Sequence, residues 1–329
     1  MSAPTVEKVM QPELPPPRML WLDLTRKCQL SCAHCYNRSG PDGGHGSMER
    51  EDWLRVISEA AELGVSDVQL IGGEPTMHPH GIEIFDFALS KGLKAEDYSN
   101  LVHVSEDWWE QLRREGASLA TSYYSDQAAE HDAITGRRSH ARTRQNIIKA
   151  LAQGTPLPVG IVATDSTQGT KAARRDLESL GVSDIGVDHV RPFGRGASSA
   201  QAHDAAELCG HCGDGVASVG PGGAVSPCVF STWLATGNVR AGSMASILNG
   251  PEMREATSHI QAARGNEAKA CRPNCVPNNP CDPRCGPNES CRPGTPPSDC
   301  RPRNQSDEEK WHGCFAGRPF PGAHLPVHR

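Results

Sequence analysis

Three cysteines near the start of the chain carry the clearest chemistry. The stretch LTRKCQLSCAHCYN sets Cys28, Cys32 and Cys35 in a C-x3-C-x2-C spacing. Three thiolates on one short loop can ligate three irons of a [4Fe–4S] cube and leave the fourth iron without a protein ligand. A metal with an open coordination position can bind and activate a small molecule. His34, inside the motif, offers a fourth donor, so zinc is the alternative for the same loop, although the spacing departs from the C-x2-C pairs usual for zinc.

The remaining cysteines fall in the C-terminal third. Cys209 and Cys212 come first, and Cys228 follows Gly223 with four residues between them. Cys271, Cys275, Cys281 and Cys285 follow at spacings x3, x5 and x3, and Cys291, Cys300 and Cys314 trail behind. Thirteen cysteines could form a disulfide scaffold, but that needs an oxidising compartment. The opening MSAPTVEKVMQPELPPPRML has neither a basic n-region nor an apolar h-region, and an odd count leaves one thiol over. Metal or cluster ligation in a cytoplasmic protein is therefore expected, with a zinc knuckle or disulfides as alternatives for the tail.

Net charge is −6 with both signs interspersed, which provides no footprint for nucleic acid and no polybasic membrane patch. No apolar run reaches the roughly 18 residues that span a bilayer.

The elements that must position these cysteines alternate along the chain. MLWLDLT (19–25) has the length and composition of a buried strand. EREDWLRVISEAAELG puts Trp53, Val56, Ile57, Ala60 and Leu63 on one helical face, with Ser47 as expected N-cap and Gly64 as expected stop. DVQLI (67–71) is the next strand, ending at Gly72–Gly73. Helix-like IEIFDFALSKG, SEDWWEQLRREG (capped by Ser105), RTRQNIIKALAQG and TKAARRDLESLG then alternate with strand-like LKAEDYS, SLATSYY, LPVGIVAT and DIGVDHV. Strands interleaved with helices in this way predict a parallel sheet with right-handed crossovers, an α/β partial (β/α)6 TIM-like barrel. Beyond residue 196 the pattern changes. ASVGPGGAVSPCVF predicts a hairpin turning at Pro221–Gly223, and SMASILNGPEMREATSHIQAA a helix broken near Pro251. From Cys271 to Pro302 there is no hydrophobic periodicity; cluster binding would account for an ordered segment without an apolar core. The expected organisation is a loose arm over 1–17, the barrel over 18–196, a cysteine-rich module over 197–314 and a tail over 315–329.

On these residues the chain resembles the radical S-adenosylmethionine (SAM) superfamily. The C-x3-C-x2-C motif followed by Tyr36 is similar to its signature, and IGGEPTMHP, with Gly72, Gly73, Glu74 and Pro75 after the next strand, is similar to the segment that binds the cofactor's methionine group. Asn100 and Ser122, at the ends of the third and fourth strands, and Arg142, in HDAITGRRSHARTRQNI, are further cofactor contacts that the resemblance implies. The C-terminal pattern resembles the SPASM iron–sulfur extension, with x3 where that pattern has x2 in the first interval. It implies that Cys209, Cys212, Cys228 and Cys285 hold one auxiliary cluster. Cys271, Cys275, Cys281 and one of Cys291, Cys300 or Cys314 would hold a second.

The resemblance further implies reductive cleavage of SAM to a 5′-deoxyadenosyl radical that abstracts a substrate hydrogen. Relatives with this extension mostly crosslink, epimerise or oxidise peptides and proteins, so a ribosomally made peptide is the expected substrate. Alternatives are a sugar or other small metabolite as substrate, a non-radical iron–sulfur or zinc scaffold, and a cysteine-rich interaction module. Expected partners are an electron donor such as flavodoxin or ferredoxin and, since this chain leaves no segment for a leader-binding domain, a separate leader-peptide recognition protein. Arg191 and Arg195, in VRPFGRG, are candidates to contact substrate.

Overall fold

The computed structural model describes residues 16–164, 168–197 and 203–263. The first strand, β1 (Met19–Thr25), is buried at every position. That is the pattern of a strand covered on both faces within a parallel sheet. Five more parallel strands follow: β2 (Asp67–Gly72), β3 (Lys94–Tyr98), β4 (Ala117–Tyr123), β5 (Val159–Ala163) and β6 (Ile185–His189). Helices α1 (Arg50–Glu62), α2 (Gly81–Ser90), α3 (Glu106–Gln111), α4 (Ala128–Thr135), α5 (His140–Ala152) and α6 (Thr170–Leu180) fill the crossovers. This is the expected α/β partial barrel, left open at the β6 edge.

The hairpin forms where its turn residues predict, as β7 (Val216–Val219) and β8 (Ala224–Ser226), closed by Gly223 N–H donating to the Gly220 carbonyl at 2.9 Å. It does not stand apart. Strand β7 pairs in parallel with β1, from Met19↔Val216 to Leu22↔Val219, and β8 pairs with the short β9 (Gly237–Asn238). The result is one nine-stranded sheet in the order β6-β5-β4-β3-β2-β1-β7-β8-β9. Helices α7 (Met244–Leu248) and α8 (Pro251–Ala263) follow, with the break at the expected proline.

Alternation along β1 separates two cores. Leu20, Leu22 and Leu24 pack with Trp53, Val56 and Ile57 of α1 under the helical layer. Met19 and Trp21 face the opposite side, where they meet Phe193, Cys212, Cys228 and Val229.

Two local expectations need correction. Helix α1 is capped at Glu49, whose N–H donates to the Asp52 carboxylate at 3.2 Å, and not at Ser47. Ser47 is held elsewhere: its N–H donates to Pro221 O in the hairpin turn at 2.9 Å. Asn100 does not end the third strand, which stops at Tyr98; it sits in the loop beyond. Gly64 follows the α1 C-cap with φ +87°, the left-handed conformation expected of a helix stop.

Candidate metal and cofactor site

The C-terminal ends of the parallel strands open on a cavity of about 230 Å³. Cys28, Cys32 and Cys35 all line it, from the loop that follows β1. This is the end of a parallel α/β sheet where strand-end loops converge and sites form.

The cysteine loop is stitched down from several directions. Cys28 N–H donates to Gly40 O at 3.1 Å, and Ser31 and Ala33 N–H groups donate to the last carbonyls of α4, Thr135 O and Ile134 O, at 3.0 and 3.1 Å. Arg195 reaches back across the cavity mouth. Its backbone N–H donates to Cys35 O at 2.9 Å, its Nε to Cys32 O at 2.7 Å and its Nη2 to Ser39 O at 2.8 Å. The neighbouring Gly194 has φ +60°, and a Cβ there would stand 2.2 Å from the Tyr36 carbonyl oxygen. Only glycine permits that approach. Gly73 is similarly confined, since its Cβ would lie 2.2 Å from Lys27 O. Its N–H donates to Thr25 O at 2.7 Å, clamping the β2 loop against the cysteine loop.

The donor set fits an iron–sulfur cluster. All three thiols are free. Burial, helped by the Glu74 charge, pushes Cys28 up to about 12, and burial with the neighbouring Cys35 pushes Cys32 up to about 12. Such thiols gain nothing as free nucleophiles; a bound cation is what turns sulfurs of this kind into thiolates. Among the described residues no three His, Cys, Asp or Glu side chains gather around a single metal-ion position. A cube needs no such convergence, because each thiolate takes a separate iron. His34, the alternative zinc ligand, lines the cavity with its Nδ1 unpartnered, and burial lowers it to about 4.

Of the other residues singled out in the sequence, Tyr36, Gly72, Gly73, Asn100 and Ser122 also line the cavity, as do Arg191 and Arg195. Glu74 and Pro75 are buried but do not line it. Glu74 Oε1 accepts from Ser99 Oγ at 2.8 Å and Oε2 from Asn100 N–H at 2.8 Å, so this carboxylate ties the β2 loop to the β3 loop. Arg142 is exposed on α5, and its neighbour Thr143 lines the cavity in its stead.

Several lining residues carried no motif. Tyr98 OH and Ser122 Oγ share a hydrogen bond of 3.0 Å. Tyr98, unlike Ser122, was not singled out in the sequence; it shares the cavity-facing side of the sheet, so strand alternation is the signal that could have found it. Asp188, near the end of β6, pairs at 3.3 Å with Arg191 just beyond it, and the two form a charged wall of the cavity. Below lies a buried polar row: Trp21 Nε1 donates to Gln69 Oε1 at 2.8 Å, and Gln69 and Ser118 donate to Glu96.

A second group of thiols packs on the cavity side of β1, in the cluster that also holds Trp21 and Tyr36. Cys212 and Cys228 are buried, and Cys212 is in side-chain contact with both Cys209 and Cys228. The two neighbouring thiols, and then burial, raise the Cys212 thiol well above its ordinary value. Cys271, Cys275, Cys281, Cys285, Cys291, Cys300 and Cys314 lie outside the described residues.

Residues 22–165 match the Radical SAM superfamily and residues 205–276 match the SPASM iron–sulfur cluster-binding domain. The chain is 40% identical over 102 residues to the PqqA peptide cyclase of Methylorubrum extorquens (strain PA1), a match covering 31% of this chain and 26% of that protein. It is 25% identical over 274 residues to the antilisterial bacteriocin subtilosin biosynthesis protein AlbA of Bacillus subtilis (strain 168), covering 73% of this chain and 61% of the relative. The matched stretch is thus about a quarter of the cyclase's length and three-fifths of AlbA's. Among solved structures, Streptococcus suis SuiB bound to S-adenosylmethionine superposes with TM-score 0.62 at 14% identity, covering 78% of this chain and 71% of that one. The enzyme anSMEcpe with bound AdoMet superposes with TM-score 0.58 at 14% identity, covering 73% and 80%. At this identity the two structures speak for the fold.

Proposed function

We infer that this chain, which belongs to the radical SAM superfamily through residues 22–165 and carries a SPASM iron–sulfur domain over residues 205–276, is a radical enzyme that modifies a ribosomally made peptide. The observation that carries the radical half of this reading is the ring of Cys28, Cys32 and Cys35 around the cavity at the strand ends. A [4Fe–4S] cluster with S-adenosylmethionine, when bound, supplies a 5′-deoxyadenosyl radical able to take hydrogen from an unactivated carbon.

The chain's own residues hold and shield that chemistry. Cys28, Cys32 and Cys35 are the proposed ligands. Gly72 and Gly73 let the end of β2 close on the Thr25 and Lys27 carbonyls, where a Cβ would stand 2.5 and 2.2 Å from those oxygens, and so shape the cavity wall beside the cysteine loop. Tyr36, Asn100 and Ser122 line the remaining walls. Tyr36 packs edge-on against Phe230 at 4.9 Å, and this aromatic pair helps exclude water from the cavity. Asp188 and Arg191 present charge where a substrate group would enter. Cys209, Cys212 and Cys228 are proposed ligands of an auxiliary cluster. Arg142 is the weakest of the proposed cofactor contacts, since its side chain would have to swing in from the surface of α5.

Support for a peptide comes from the relatives. One is a peptide cyclase, another serves bacteriocin biosynthesis, and SuiB has been solved bound to its precursor peptide SuiA. A separate leader-recognition protein and a flavodoxin- or ferredoxin-type electron donor complete the proposal. Among the described residues no helix is long and apolar enough to cross a membrane.

The test is to incubate the reconstituted enzyme, dithionite and SAM with short peptides encoded beside the gene. Loss of hydrogen from one peptide, or uptake of solvent deuterium at one of its α-carbons, is the expected result. Turnover of a sugar or small metabolite with every peptide unchanged would remove the peptide from the account.

A further inference from the structure

Asn100 occupies an unusually constrained position for a loop residue. Its backbone N–H donates to Glu74 Oε2 at 2.8 Å, and its carbonyl accepts from Thr143 Oγ1 of α5 at 2.9 Å. The next residue, Leu101, is buried and has φ +58°, a left-handed conformation that leucine adopts at a cost. The Leu101 carbonyl accepts from Asn146 Nδ2 of α5 at 2.7 Å. Three side chains from two elements, the β2 loop and α5, therefore hold a strained turn in place. Strain kept by so many contacts points to something the turn must aim.

What it aims is the Asn100 side chain, and its orientation follows from its partners. The Val102 backbone N–H, which can only donate, lies 2.9 Å from one end of the amide, so that end is the oxygen Oδ1. Gln29 Nε2 donates to the same oxygen at 3.0 Å. The other end must then be the amide nitrogen. Its two N–H groups point at Gln29 Oε1, 3.2 Å away, and at Cys28 Sγ, 3.5 Å away. Leu30 N–H also donates to Cys28 Sγ, at 3.4 Å. The environment of Cys35 is different: its thiol lies 3.0 Å from Asn37 Oδ1, an acceptor, while Asn37 Nδ2 is committed to Gly72 O.

We propose that Asn100 is a positioning residue that sets the reduction potential of the cluster held by the N-terminal cysteines, through an N–H···S hydrogen bond to Cys28. This rests on the radical reading above. One-electron reduction adds a negative charge shared with the ligand sulfurs and takes up no proton. An N–H directed at one of those sulfurs stabilises the added charge and so raises the potential. Cys28 thus receives two N–H donors, Cys32 receives a backbone N–H and the Tyr124 hydroxyl, and Cys35 faces an acceptor; the strained turn at Leu101 is what holds the Asn100 donor on Cys28.

The experiment is an anaerobic redox titration of the reconstituted holoenzyme. It follows by electron paramagnetic resonance the reduced signal that changes when SAM is added, in wild type, Asn100→Leu and Asn100→Ser. Serine keeps an oxygen for the Val102 N–H in a short turn but has no donor long enough to reach Cys28. Both variants are expected to bind iron as wild type does and to reduce about tenfold less favourably, a fall of about 59 mV for one electron. If leucine prevents loading, serine decides. A midpoint equal to that of wild type in a loaded variant overturns the assignment of Asn100 and leaves the radical reading standing. Absence of any SAM-responsive signal in wild type takes down both.

Discussion

At the scale of single residues, the site depends on groups that hold the cysteine loop in place. Gly194 passes under the Tyr36 and Cys35 carbonyls, and a methyl group would stand 2.2 Å from the Tyr36 oxygen. Gly194→Ala is therefore expected to displace the cysteine loop and lower iron content after reconstitution, measured per chain against wild type, while thermal stability falls by no more than a few degrees. Unchanged iron would mean the loop adapts. Arg195 makes the same point. The sequence marks it as a substrate contact, yet its guanidinium is spent on Cys32 O and Ser39 O. Its charge was legible; its partners, some 160 positions earlier, left no local trace. The cysteines and Gly72–Gly73 stood out because spacing on a strand-end loop is itself a signal. His131, buried in the cavity wall, did not, because a lone histidine on a polar helix looks the same wherever it faces.

Elements were legible where burial repeats. Strand β1 is buried on both faces, with an unbroken apolar run from Met19 to Leu22, and α1 lays Trp53, Val56, Ile57 and Ala60 on one stripe. Truncating that stripe at fully buried Ile57 to alanine is expected to cost about 2–5 kcal/mol by denaturant melts. Helix α4 was missed because the residues it buries are His131 and Thr135, which make no apolar period. The pairing of β7 with β1 was also hidden, since a parallel partner almost two hundred residues away is written nowhere locally. Between α5 and α6, Asp176 accepts both Arg144 Nη2, at 2.9 Å, and the Tyr123 hydroxyl, at 2.8 Å. The Arg144 hydrogen bond, with that of Tyr123 behind it, holds this carboxyl below the usual range. A depressed folded pKa contributes stability above the unfolded value of about 3.9 and loses it as pH falls further. Wild type should thus lose melting temperature more steeply than Asp176→Asn below about pH 4. Parallel curves would show that the pair contributes nothing to acid stability.

Over the whole molecule, one continuous sheet carries both cysteine groups, the first on the loop after β1 and the second flanking the β7–β8 hairpin, against the Trp21 face of β1 that also lines the cavity. Registering β7 on β1 fixes the distance between them, so a chain that folds its barrel also places Cys212 and Cys228. If the C-terminal cysteines complete two auxiliary clusters, anaerobic reconstitution should yield about twelve irons per chain, and about four if only the N-terminal loop is loaded. The central claim is narrower than that count: Cys28, Cys32 and Cys35 hold the centre that cleaves the sulfonium cofactor. The most direct measurement is 5′-deoxyadenosine formed from S-adenosylmethionine and dithionite, by wild type and by a variant with all three cysteines changed to alanine. Wild type should produce it and the variant none, with the variant's other clusters still present; equal production by both would contradict the account.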